Sequence, residues 1–443
     1  MQKVIKYWHN LFYKKTRSEK LWSTAYILLL CVPFGMIFGK APIDIAMTGV
    51  GLVFFLNACL EQDWDWLKIR WVPVALAIWV YYMLIAFQAI QVWVSFEGAF
   101  SFVRFVLFAV ACQYWLLSHR QVRKHMVTSI ELASILLVLA AWHQFFYGVD
   151  VLGNVYFENP AYFRLTAISG KLIVGGYLVM MSWPAVIKWF MYLGTPKKSF
   201  LRKLGYSVLI ILWIALIPVT GERTSTIWWL LGLVLMFFLL VQFRKYFYTI
   251  GLLSIFLSIS IVMNVPGLSV RMASIPGIVA DAAFASLDTA YESNNGYSEL
   301  NQGAIIMFYD KPWLGTGLKQ YGIACTSKKL KVCTTTPQNM YLELLANTGL
   351  IGTVLFLALM LIWAQHIWHR REKLSKTDIK FDKLGIYTTK IVNDPILLGV
   401  LICLLIRIFP FVTTSSLYFS WSGITFWWMG TWLMAALEDK TIK

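Results

Sequence analysis

The sequence predicts an all-α fold built from about twelve membrane-spanning helices, and three observations carry that prediction. Hydrophobic residues make up 59% of the 443 positions against 14% charged, and the mean hydropathy is +0.65, a balance that soluble globular domains do not sustain. The apolar stretches run unbroken for about 16–22 residues, which excludes outer-membrane barrels, whose strands alternate every second residue. Lys and Arg gather in every second connection, which fits a chain that re-crosses the bilayer. The 30 Phe, 21 Trp and 21 Tyr are enough to populate aromatic belts at both faces. A net charge of +17 suggests nucleic acid in a soluble chain; here the positive-inside rule accounts for it, and no nucleic-acid partner is expected.

In chain order, the apolar runs place helices at 21–38, 45–60, 71–90, 102–117, 127–146 and 172–193, then at 206–219, 227–241, 248–265, 340–364, 395–412 and 421–436. The first lacks a small-residue cleavage site and reads as a retained helix. Basic residues cluster before the first helix (Lys3, Lys6, Lys14, Lys15, Arg17, Lys20) and after the fourth (Arg120, Arg123, Lys124). Others follow the sixth (Lys197, Lys198, Arg202, Lys203), the eighth (Arg244, Lys245) and the tenth (Arg370, Arg371, Lys373, Lys376, Lys380, Lys383). All these loops share one face if both termini are cytoplasmic. The chain therefore divides into helices one to nine (1–265), a large outer loop (266–337), and the last three helices with a cytoplasmic tail (338–443). Within the loop, SELNQGAIIMFYD at 298–310 reads as an interfacial helix, and PWLGTG at 312–317 as a turn.

Basic residues on the opposite face need another reason. Arg104 lies near the outer end of helix four, Arg164 before helix six, and Arg223 in the turn TGERTST; Arg271 opens the large loop, and Arg407 lies inside helix eleven. An ionisable group at membrane depth costs roughly 2.5–3.5 kcal/mol on insertion scales, so such a set marks a site. Guanidinium forks match phosphate oxygens, and fixed cations oppose the charge that develops when a diphosphate leaves. An outward-facing site for a polyprenol-diphosphate glycan, working without metal or other cofactor, is the reading that follows. The Asp-x-Asp pair, Asp63 and Asp65 in EQDWDW, falls on the cytoplasmic side and reads as an ordinary loop.

Three stretches resemble the O-antigen ligase and polymerase family, bacterial membrane enzymes that move glycans from undecaprenyl diphosphate to an acceptor on the periplasmic face. PQNMYLELLANTGLIG from Pro337 resembles the family's Pro-His-Asn signature, with its aromatic-Leu-Glu run and terminal Gly-Leu-Ile-Gly. TGERTSTIWWLLGL from Thr220 resembles its arginine turn, and MFYDKPWLGTGLKQYG from Met307 its loop helix followed by Gly-x-Gly. Arg164 in YFRLTAISG is similar to the family's arginine before helix six. Two departures stand out. Gln338 replaces the family histidine, and an amide cannot act as a general base; Tyr297 stands where members often carry an arginine, for which Arg271 is the substitute.

The resemblance implies a GT-C-like multispanning glycosyltransferase of the bacterial inner membrane, with lipid A-core or a growing glycan as acceptor and with membrane lipids around it. Arg223 and Arg164 are assigned to the diphosphate, Arg271, Arg407 and Arg104 to further substrate contacts, and Gln338 with Asn339 to the acceptor. Glu343 and Glu222 are each able to take a proton or to pair with an arginine, and His143 is the one histidine near the outer face. Ligation is preferred over polymerisation, and a flippase for the same carrier is the more distant alternative. Cys325 and Cys333 in the outer loop are expected to form a disulfide in an oxidising periplasm.

Overall fold

The computed structural model describes residues 16–153, 155, 163–168, 173–195, 199–277, 279, 297–370, 375–382, 385–392, 394–410, 416–418 and 420–438. Lys3, Lys6, Lys14, Lys15, Lys197, Lys198, Arg371, Lys373 and Lys383, named above for topology, lie outside the described residues, as do 278 and 280–296 of the large loop. The chain is an all-α polytopic bundle, and each predicted apolar run overlaps helix among the described residues. In order, the helices are α1 (Arg17–Phe38), α2 (Lys40–Glu61), α3 (Val72–Ile85), α4 (Val92–Val110), α5 (Arg120–Tyr147), α6 (Val174–Met181), α7 (Trp183–Leu193) and α8 (Phe200–Val219). They continue with α9 (Arg223–Leu239), α10 (Leu252–Asn264), α11 (Pro266–Ala273), α12 (Tyr297–Asp310), α13 (Tyr321–Ser327), α14 (Met340–His369), α15 (Pro395–Ile408) and α16 (Ser420–Glu438). Among the described residues, seven helices are long and apolar enough to cross a membrane, and three shorter ones are equally apolar in character.

Local chemistry explains where these elements start. The Thr-x-x-Glu of Thr16 to Glu19 makes a reciprocal capping box, so α1 begins ahead of its apolar run. Asn339 caps α14, accepting from the Tyr341 and Leu342 amides at 3.0 and 3.2 Å, and Asp394 caps α15 with Pro395 at its first turn. The sixth predicted span divides at Ser182 into α6 and α7, because Pro184 supplies no amide to continue the ladder. Ser182 covers the break: its hydroxyl donates to the Leu178 carbonyl and accepts from the Trp213 indole at 2.9 Å.

The α16 helix is central, burying Phe426, Trp427, Trp428 and Trp432. Trp71 and Trp363 pack edge to face with each other and close around Trp427. Leu52, Leu84, Trp93, Leu139 and Phe256 point outward and exposed, as lipid-facing residues do. A charged pair inside the bundle, Lys188 with Glu131 at 2.5 Å, is completed by the Trp189 indole at 2.8 Å.

The large loop has a small core of its own, in which Leu300, Ala304 and Met307 of α12 pack on Tyr321, Ala324 and Cys325 of α13. A disulfide joins Cys325 to Cys333, with Cα atoms 5.7 Å apart. One feature was absent from the sequence reading: an antiparallel hairpin, β1 (Ser375–Asp382) with β2 (Gly385–Val392), pairs Ser375 with Val392 through to Asp382 with Gly385. Only Asp378 to Asp382 (DIKFD) alternates in polarity, and GIYTTKIV does not, so the sequence period gives little sign of the pair.

Candidate active site

The turn from Thr220 to Arg223 is the point on which three separate stretches converge. Gly221 has φ +75°, and a Cβ there would sit 2.1 Å from the Phe163 carbonyl oxygen, so only glycine allows this approach. The Leu165 amide donates to the Thr220 carbonyl at 3.1 Å, which lays the segment carrying Arg164 directly against the turn. From the other side α11 docks: Arg271 Nε donates to the Gly221 carbonyl at 2.5 Å, and Arg223 Nη1 donates to Ser274 Oγ at 2.8 Å. Ser274 in turn donates to the Arg271 carbonyl at 2.8 Å. Arg164, Arg223 and Arg271 are thereby collected around one turn, at the N-terminus of α9, whose partial positive charge adds to theirs.

Glu222 belongs to the same turn, and its carboxylate is occupied structurally. It accepts from the Gly175 and Gly176 amides at 2.8 and 3.1 Å, capping α6 from outside, and from Ser225 Oγ at 2.6 Å. Burial pushes its pKa up, against the opposing pull of Arg164 and of these hydrogen bonds. The Arg164 segment is held by a buried network that sequence reasoning missed. Gln144 Oε1 accepts from the Thr166 and Ala167 amides, each at 2.8 Å, and Thr166 Oγ1 donates to Asp150 at 2.9 Å. The neighbouring His143 is exposed and lies tilted against the Tyr147 ring, with 4.8 Å between ring centres.

A second site lies beneath the outer loop. A cavity of about 460 Å³ is lined by Lys319, the hydroxyls of Thr334, Thr335 and Ser416, and the carboxylate of Glu343. Glu343 is 4% exposed and hydrogen-bonds to Ser416, with Arg407 as the cation that acts on it. Arg407 is 1% exposed, and its Nε donates to the Ser422 carbonyl at 3.0 Å. Gln338 precedes this helix in a left-handed conformation with φ 57°, and Asn339 spends its carbonyl oxygen on the α14 cap.

The two loop motifs lock onto each other. At Gly349 (φ 61°, ψ −167°) α14 breaks, and the turn-rich chain around Gly315 fills the break. Thr316 and Gly317 amides donate to the Ala346 and Asn347 carbonyls, each at 2.9 Å, while the Leu350 amide donates to the Pro312 carbonyl at 2.8 Å. A Cβ on Gly349 would lie 2.4 Å from the Trp313 backbone. Lys311 Nζ ties the same chain to the Gln88 carbonyl at 3.0 Å.

Residues 207–357 match the family model described as O-Antigen ligase. Over that stretch, 151 of the 443 residues, the chain is similar to the O-antigen ligase and polymerase family. The match spans Arg223, Arg271, Gln338, Asn339 and Glu343, so both sites draw on the family region, whereas Arg164 and Arg407 are brought to them by the fold. No curated protein matches the chain. That family is one of glycosyltransferase-type enzymes acting on lipid-linked glycan, and the apolar helices of this chain suit a membrane setting. The remaining predicted residues lie apart from both sites. Arg104 forms an ion pair with Asp44 at 3.1 Å and sits over the Phe105 ring. Asp65 pairs with Lys68 at 2.6 Å, and Asp63 accepts from the Tyr114 hydroxyl at 2.9 Å. Among the described residues no group of three metal-binding side chains comes together.

Proposed function

We propose that this chain transfers a glycan from undecaprenyl diphosphate to lipid A-core at the periplasmic face of the bacterial inner membrane, with both termini cytoplasmic. One observation carries the reading: Arg164, Arg223 and Arg271, distant in sequence, gather on the Thr220 to Arg223 turn within an O-antigen ligase domain. An acceptor hydroxyl attacks the anomeric carbon, and the bond from that carbon to the diphosphate oxygen breaks. The electron pair passes to the diphosphate, where the three guanidiniums stabilise it. The acceptor proton goes to Glu343, which faces a hydroxyl-lined cavity, while Glu222 is engaged by three donors. Gln338 and Asn339 orient the acceptor, and Arg407 supports Glu343. The transfer uses no metal, so EDTA is expected to leave the purified rate unchanged.

Deletion in the source bacterium tests this. Bare lipid A-core with long glycans accumulating on undecaprenyl diphosphate is the expected gel. A lipid A-core carrying a single repeat would instead make the chain a polymerase; Gln338 in place of the family histidine weakens the ligase reading without establishing that second one. Lipid movement by purified protein without release of undecaprenyl diphosphate would make it a flippase.

A further inference from the structure

At the end of the bundle away from the arginine turn, α14 and α16 terminate beside the entry to α3 and leave a cavity of about 520 Å³. Its inner wall is aromatic and aliphatic, from Trp71, Trp363 and Met434; its rim is basic, from Arg70, His369 and Arg370. The carboxylate lining it, Glu438, lies between Gln113 and His366, whose Nε2 is 3.8 Å from its Oε1. Both its oxygens accept from Gln113 Nε2 at 3.2 Å, and Gln113 Oε1 accepts in turn from the Trp71 indole at 2.8 Å. Lys68, also at the rim, is neutralised by Asp65 at 2.6 Å.

The rim is then left with Arg70 and Arg370 against Glu438, a positive excess even with both histidines neutral. Arg370 uses Nη1 on the Leu437 carbonyl at 3.0 Å, which leaves further donors of its five. Arg70 is exposed and forms no hydrogen bond or ion pair among the described residues; it acts on His366 across the cavity as a like charge. The positive-inside rule accounts for basic residues in a loop, but not for two guanidiniums set over an indole-floored cavity between helices. Guanidiniums above an apolar wall suit an amphiphile with a phosphate head.

We infer that this cavity binds the phosphate group of an anionic lipid from the adjoining leaflet, with Arg70 and Arg370 at the phosphate and Trp71 and Trp363 against its apolar part. The inference is independent of the transfer reaction. Native mass spectrometry of the full-length protein in neutral detergent tests it, with phosphatidylglycerol and phosphatidylcholine as probes. Preferential retention of phosphatidylglycerol is expected, with about a tenfold loss of affinity in Arg70→Gln and partial recovery in Arg70→Lys. Arg70 is exposed, so the glutamine variant is expected to fold normally, which its melting temperature checks; His369→Gln is a second, milder variant. Competition by inorganic phosphate would support the phosphate chemistry. Binding of inorganic phosphate without phosphatidylglycerol would show a free-anion site and overturn the lipid assignment. Equal retention of the two lipids, or retention unchanged in Arg70→Gln, would overturn the site itself.

Discussion

The arginine turn and the Glu343 cavity are built in opposite ways. At the turn, charge is concentrated by short backbone contacts: Gly221 admits Phe163, and its own carbonyl receives Arg271. At the cavity, a single carboxylate is set among hydroxyls by elements from three parts of the chain, namely α14, the loop around Thr334, and Ser416 before α16. Both are tertiary assemblies, and the difference lies in what holds them: the proposed leaving-group site hangs distant segments on one turn by backbone contacts, whereas the proposed acceptor site is lined by side chains from three elements.

Breaking the first device is expected to have the largest effect. Arg223→Ala should lower transfer by about 10²–10³-fold, as the loss of a preorganised donor to a developing anion does, with protein levels in the membrane unchanged; lysine should restore only part of the rate. Normal transfer by a well-expressed alanine variant would remove the diphosphate assignment. Next come the two carboxylates, which separate the regions cleanly. Glu343→Gln is expected to cost about 10²-fold in kcat through loss of the base in the protein that remains folded, and to lower the melting temperature as well, since it takes the counter-charge from buried Arg407. Glu222→Gln is expected instead to destabilise by about 1–3 kcal/mol, since it disturbs buried donors that the carboxylate satisfies, and to spare kcat in the protein that remains folded. If the two variants exchanged phenotypes, the assignment of the proton acceptor would be reversed.

A smaller effect is expected at the loop. Cys333→Ser should lower stability by about 2–3 kcal/mol, the usual scale for a short closed loop, read as a lower melting temperature and as reduced transfer at elevated temperature. The smallest effect is expected at Arg104 and His143. Arg104→Gln, which removes a part-exposed ion pair with Asp44, should change stability by about 0–1 kcal/mol, and His143→Ala should leave transfer within twofold of the parent protein. A large loss of activity in either would draw that residue back into the substrate path.

The bundle was legible because bilayer thickness imposes long apolar runs, and the arginine turn because charge on the unexpected face stands out against the positive-inside pattern. The partnership of Arg223 with Ser274, and of Arg271 with the Gly221 carbonyl, was not legible, since α11 reads as the start of a loop until it is seen docked on the turn. Glu222 and Glu343 were indistinguishable on paper: both are single carboxylates near an arginine. Only the Gly175 and Gly176 amides, supplied by a helix end that no local pattern links to Glu222, tell them apart. Gln144 and Thr166 escaped notice for the same reason, as uncharged residues whose value lies in tertiary hydrogen bonds.

The break in α14 at Gly349 bears on how the chain is made. A helix interrupted at membrane depth exposes amides and carbonyls that hydrocarbon cannot satisfy, each at a cost of several kcal/mol. Here the partners of those groups come from Pro312 to Gly317, a segment synthesised earlier. With the topology proposed above, biogenesis would be ordered: the outer loop would have to be across the bilayer and shaped before α14 settles. A chain whose loop is misfolded would hold a defective span, open to membrane quality control even with every apolar segment intact.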